Sequence, residues 1–135
     1  MSTRAHIIVS DDSDEKILFY RHSDGDPEGT LPTLNQFLDM VKSGKLRDEA
    51  AQSAGWLIVI GHDEYKEMRE KYSEVMGWKV GAYEPTTCIH GDEDYIYEVN
   101  VKTKEIHCWE VNTNNKGEPV KGKRVVIDKT LASTI

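Results

Sequence analysis

The apolar residues of this chain repeat every second position near its start, every third or fourth in its middle and every second again further on, and that order limits the fold more than any other feature. Residues 4–9 (RAHIIV) and Lys16–Arg21 (KILFYR) are rich in β-branched and aromatic side chains. Joined by the acidic run Ser10-Asp11-Asp12-Ser13-Asp14-Glu15, they read as an opening hairpin whose turn the acids solvate. Alternation places Ile17, Phe19 and Arg21 on one face of the second strand and Leu18, Tyr20 and His22 on the other. A loop over residues 22–32 leads to Thr33-Leu34-Asn35-Gln36, which matches a capping box and predicts a helix start. Leu34, Phe37, Leu38 and Val41 then keep helical spacing, and Gly44 supplies the left-handed stop after Ser43.

Leu46, Ala50, Ala54, Leu57 and Ile58 suggest a second helix, although Gly55 costs about 1 kcal/mol there and residues 56–60 (WLIVI) would also suit a buried strand; helix is the preferred reading. Asp63 is the expected cap of a third helix with Tyr65, Met68, Tyr72, Val75 and Met76 as its stripe and Gly77 as its stop. Strands are expected over residues 78–83, 95–101 and 105–111, the last two forming a hairpin through Lys102-Thr103-Lys104. Residues 112–122 read as a polar loop, residues 124–127 as a short edge strand and residues 128–135 as a loose tail. The expected fold is α+β: a single domain over residues 1–135, with a mostly antiparallel sheet of about five strands and two or three helices inserted between the N-terminal hairpin and the C-terminal strands. Apolar residues on both faces of Lys16–Arg21 imply that the second face is also covered, and a homo-oligomer would cover it.

Composition narrows the function classes. Seventeen Lys and Arg against twenty-four Asp and Glu give a net charge of −7, which opposes non-specific nucleic-acid binding. The longest apolar run, residues 56–60, is too short to cross a bilayer, and residues 1–4 lead into strand-like sequence and not an apolar leader. With only Cys88 and Cys108, a reducing cytoplasm is the expected location.

The densest cluster of polar and special residues is Arg21-His22-Ser23-Asp24-Gly25-Asp26-Pro27-Glu28-Gly29-Thr30. It reads either as a ligand site or as a well-bonded turn in which Arg21 pairs with a carboxylate. Asp24, Asp26, Glu28 and Gly29 imitate the start of a calcium loop, but the closing position is Asn35, within the predicted helix, so no metal site is expected there. Cys88, His90, His107 and Cys108 resemble a zinc set in composition only, because adjacent strand residues His107 and Cys108 face opposite ways. No nucleophile elbow, phosphate loop or dinucleotide fingerprint occurs, so neither a catalytic residue nor a cofactor is assigned, and a binding role ranks ahead of an enzyme.

Ser2-Thr3-Arg4-Ala5 with Ile7-Ile8-Val9, Phe19-Tyr20-Arg21-His22-Ser23-Asp24-Gly25, Pro27-Glu28-Gly29, Gly55-Trp56-Leu57 and Gly81-Ala82-Tyr83-Glu84-Pro85 together carry a resemblance. Through them the chain resembles a family of small proteins of tailed bacteriophages and prophages. Asp26 departs from that pattern, which has an aromatic residue there, so no stacking role is carried over to it. In class and size the chain is similar to the Thoeris anti-defence sponges, which enclose cyclic ADP-ribose-type signals without cleaving them. The resemblance implies a counter-defence protein in the host bacterial cytoplasm that sequesters a nucleotide second messenger, of the cyclic ADP-ribose or cyclic oligonucleotide type. In that reading Arg21 and Arg124 meet phosphate. Tyr83 or Trp109 stacks on a base, Asp24 and Glu28 accept ribose hydroxyls, and His22 and the backbone near Gly25 and Gly29 complete the site. The alternatives are an acidic inhibitor of a host defence complex, of the anti-CRISPR or DNA-mimic type, and a phosphodiesterase that degrades the messenger.

Overall fold

In the computed structural model, which describes residues 3–71 and 81–127, the opening hairpin forms as its pattern predicts. Strand β1 (Ala5–Ser10) pairs antiparallel with β2 (Lys16–Arg21), Ala5 facing Arg21 and Ser10 facing Lys16. The acidic turn does more than attract water. Asp11 accepts from the Ser13 amide and hydroxyl with one oxygen and from the Ala50 amide, 2.8 Å away, with the other, so it closes the hairpin and also satisfies the start of a distant helix.

The described strands make one six-stranded mixed sheet in the order β3-β2-β1-β4-β5-β6, one strand more than the pattern predicts. Strand β3 is Glu84–Thr86, β4 Tyr95–Asn100, β5 Glu105–Thr113 and β6 Pro119–Val125. Only the β1–β4 pair is parallel, and every other neighbour is antiparallel. The expected strand over residues 78–83 is not found at Ala82 and Tyr83. Its first residues, 78–80, lie outside the described ones, and β3 begins one residue after Tyr83. The polar loop expected over residues 112–122 is instead a hairpin: the Asn114 side chain accepts from the Lys116 and Glu118 amides to make a tight turn, and β6 runs from there. β6 is a lysine-rich edge strand with little apolar alternation, which is why periodicity passes over it.

The helices are α1 (Pro27–Lys42), α2 (Ala50–Ser53), α3 (Gly55–Glu64) and α4 (Lys66–Lys71). Helix α1 starts six residues before the expected capping box. Asp26 takes the cap position and Pro27 the first turn, where a missing amide hydrogen is harmless. Thr33 is therefore inside the helix, its hydroxyl donating back to the Thr30 carbonyl. The end near Ser43 agrees with the sequence reading. Residues 56–60 are helical, as preferred, and Asp63 lies within α3 and caps nothing. Of the expected third helix, the Met68 side chain and Tyr72, Val75, Met76 and Gly77 fall outside what is described, as does the expected tail over residues 128–135.

Leu31, Leu34, Phe37 and Leu38 of α1 and Leu57 and Ile60 of α3 bury against Ile7, Val9, Phe19, Tyr97, Val99 and Cys108 on one face of the sheet. All six residues of β1 are buried, including His6 and Ile8 on the opposite face. There the cover comes from the chain itself: residues 87–94, here termed the strap, cross β2 and β1 to connect β3 with β4, bringing His90 onto Tyr20 and Glu93 beside His6. Leu34→Ala, at the centre of the helix-facing core, is expected to lower the unfolding free energy by about 3 kcal/mol. The exposed Asp39→Ala should change it by less than about 0.5 kcal/mol, both read from urea midpoints.

Candidate functional site

Because Arg21 shares the helix-facing side of β2 with Phe19, its side chain enters the core, and it is completely buried. Its two terminal nitrogens donate to the Glu64 carboxylate at 3.0 and 2.5 Å, Nε donates to the Asp24 carbonyl, and Nη2 donates to the Gly29 carbonyl. The Tyr83 ring lies 5.0 Å from the guanidinium carbon. Burial alone would favour loss of the Arg21 charge, but Glu64 outweighs it and holds the guanidinium protonated. The cation expected to meet phosphate is thus neutralised inside the protein.

The rest of the loop serves the same clasp. The Gly25 amide donates to the Thr3 carbonyl, and its own carbonyl accepts from Tyr97 Oη at 2.6 Å. A Cβ on Gly25 would lie 2.8 Å from that of Ala5, and one on Gly29 2.3 Å from the Asp24 carbonyl oxygen. Both glycines therefore permit close packing of backbone on backbone, and neither amide is directed to a ligand. Asp24 is held in the left-handed region at φ 55° and is exposed, as is Glu28. His22 is exposed and pairs with Glu84 at 2.7 Å. Tyr83, expected as a stacking platform, is wholly buried with its hydroxyl on Thr33, and burial pushes it up to about 12. Arg21, Gly25, Gly29, Tyr83 and the Asp24 backbone consequently make a structural clasp, with the His22, Asp24 and Glu28 side chains exposed beside it.

The other two predicted residues meet elsewhere. Trp109 on β5 and Arg124 on β6 are direct partners, at the end of a row that crosses the sheet as Glu84, Tyr20, His6, Ile96, Trp109 and Arg124. This row lies on the face away from the helices. Lys121 Nζ sits 4.1 Å from the centre of the partly buried Trp109 ring and 2.6 Å from a Glu98 oxygen. Arg124 contacts Nδ1 of His107, whose ring is 6.0 Å from that of Trp109. An open hollow of about 450 Å³ adjoins them, lined by Ile106, His107, Arg124, Val125, Val126 and Ile127. Burial raises the Glu98 carboxyl, but the bonds from Lys121 and Ser10 outweigh it and keep the group below the usual carboxylate range.

Lys121 and Glu98 were not singled out in the sequence, and His107 only as part of a rejected zinc set. His107 is two residues from Trp109 and thus legibly on its face, but the assignment of Lys121 to that face requires the β5–β6 register and its irregularity between Trp109 and Val111. Cys108 faces the core, opposite to His107 as the alternation requires, and burial pushes its thiol up to about 12. Among the described residues no three His, Cys, Asp or Glu side chains are grouped as metal ligands, and no helix is long and apolar enough to cross a membrane.

Compared with protein-family models, curated proteins and solved structures, the chain matches none of them.

Two outcomes are expected. Arg21→Met leaves Glu64 without its cation and should cost about 3 kcal/mol, most of which the double change Arg21→Met with Glu64→Leu restores; denaturant midpoints of the three proteins read this. Since the Glu98 carboxyl titrates below its ordinary value, its bonds stabilise the fold above that value and are lost as pH falls through the lowered one. Glu98→Gln should therefore reduce the acid sensitivity of the urea midpoint.

Proposed function

We propose that this protein is a non-catalytic binder of a nucleotide, held on the open face of the sheet at Trp109, Lys121, His107 and Arg124. The observation that carries the reading is a tryptophan between two cations on an exposed sheet face of an otherwise acidic protein. An indole offers a flat apolar surface to a base, and a guanidinium matches two phosphate oxygens. At the end of this stripe His107 and Arg124 also border the hollow of about 450 Å³, which Trp109 and Lys121 do not line. Lys121 and Arg124 already face Glu98 and His107, so a phosphate would exchange with contacts the protein makes to itself. The phage resemblance extends the reading to sequestration of a cyclic ADP-ribose or cyclic oligonucleotide messenger in a bacterial host. That extension now rests on Trp109 and Arg124 and no longer on Arg21 or Tyr83.

One observation favours the protein-binding alternative: Trp56 and Val59, one turn apart on α3, are each 42% exposed. A partner docking there would leave the Trp109 face free.

Titration calorimetry with cyclic ADP-ribose and a cyclic dinucleotide as probes tests the proposal, together with mass spectrometry of small molecules released by heat from protein exposed to a lysate. Intact nucleotide is the expected product, and a cleaved one would identify a phosphodiesterase. Trp109→Ala and Arg124→Ala should each weaken binding about tenfold or more, Arg124→Ala while leaving the urea midpoint nearly unchanged. Absence of binding by both probes, with no nucleotide released, would overturn the proposal.

A further inference from the structure

The second face of the sheet also holds a buried pair outside the binding stripe. His6 and Glu93 have no exposed side-chain surface, and His6 Nδ1 is 3.5 Å from Glu93 Oε1. That oxygen also accepts from the His90 amide at 2.8 Å. Neither His6 nitrogen nor Glu93 Oε2 has a hydrogen-bond partner among the described residues. Buried polar atoms are nearly always bonded, so an imidazole and a carboxylate left this close and this poorly bonded require an explanation.

The remaining ties of the strap lie at the surface, apart from the part-buried bond from Tyr20. Tyr20 donates to the Asp92 carboxylate, Arg4 approaches Asp92 at 3.6 Å with both side chains about half exposed, and the Asp94 amide donates to the Arg4 carbonyl. His90 stacks on Tyr20 and bonds Thr86. Exposed ion pairs contribute little, whereas a lone buried charge costs several kcal/mol. What lies beneath the strap therefore governs it. The polar and charged groups facing the pair are Arg4 before β1, Tyr20 on β2, His90, Asp92 and Asp94 of the strap and, one row further on, Glu98 of β4; Ile8 and Ile96 complete the surroundings.

We propose that the strap over residues 87–94 is a proton-gated cover, closed while His6 and Glu93 hold one proton between them. With one proton the buried pair is either neutral or mutually compensated. A second proton leaves an unpaired imidazolium under the strap, and loss of the first leaves an unpaired carboxylate. Either extra charge is relieved by lifting the strap into water, and Gly91, with open space around it, leaves room for the bend. Lifting would uncover Tyr20 and His6, which share their row with Ile96 and Trp109, and so extend the open face from β6 to β2.

Amide hydrogen exchange of His90 and Asp94, followed by NMR over a pH series and corrected for intrinsic rates, tests this. In the wild-type protein their protection should be greatest at intermediate pH and fall about tenfold or more on both sides, with the amides of β1 as the reference. Glu93→Gln, which wants a neutral histidine, should be protected at high pH and open in acid. His6→Gln, which wants a protonated carboxyl, should do the reverse. The double change should abolish the dependence, and if it does not fold the two single changes still decide. A wild-type profile parallel to that of β1, or single variants that shift in the same direction, would overturn the proposal.

Discussion

The position of β1 organises the molecule. It pairs antiparallel with β2 along one edge and parallel with β4 along the other, so its backbone groups have partners on both sides. Its two faces meet different covers, apolar helix surface over Ile7 and Val9 and the strap over His6. The parallel pairing requires a long excursion between β1 and β4, and both the helical layer and the strap belong to it. A strand enclosed in this way tolerates a polar side chain only if something is arranged to meet it, as Glu93 is arranged to meet His6.

The same constraint explains the loop after β2. Arg21 ends its strand on the helix-facing side, where an uncompensated guanidinium would be untenable, and the loop is shaped to compensate it. Glu64 arrives from α3, the carbonyls of Asp24 and Gly29 turn inward, and the glycines let the chain close onto Ala5 and Asp24. Charge, glycine and proline gathered in one short segment are therefore needed here for burial. Lys121, Lys123 and Arg124, by contrast, are exposed on β6, at the opposite edge of the sheet from β3.

Much of this was legible in the sequence, and the omissions have identifiable causes. The opening hairpin, α1 and its end at Ser43, the helical state of residues 56–60 and the β4–β5 hairpin follow from period and punctuation, which are local properties. The start of α1 was misplaced because Thr33 and Gln36 form a convincing cap while Pro32 looks like a barrier. Pro32, five residues after Pro27 and directly before Thr33, lies inside the helix that Asp26 and Pro27 have already begun. β6 was missed in large part because an edge strand is hydrogen-bonded on one side only and need not alternate.

Of the nine residues expected to bind a ligand, Trp109 and Arg124 are brought together on an open face, and the other seven belong to the clasp or its rim. Residue types and their spacing determined most of the secondary structure, the acidic balance and the α+β class, because these depend on neighbours along the chain. Only the tertiary structure decided that Arg21 meets Glu64, that His6 lies under Glu93 and that Lys121 stands over Trp109. These partners are far apart along the chain or related by a strand register with an irregularity in it, and the pairing of strands, which alone sets them side by side, is a property of the whole sheet.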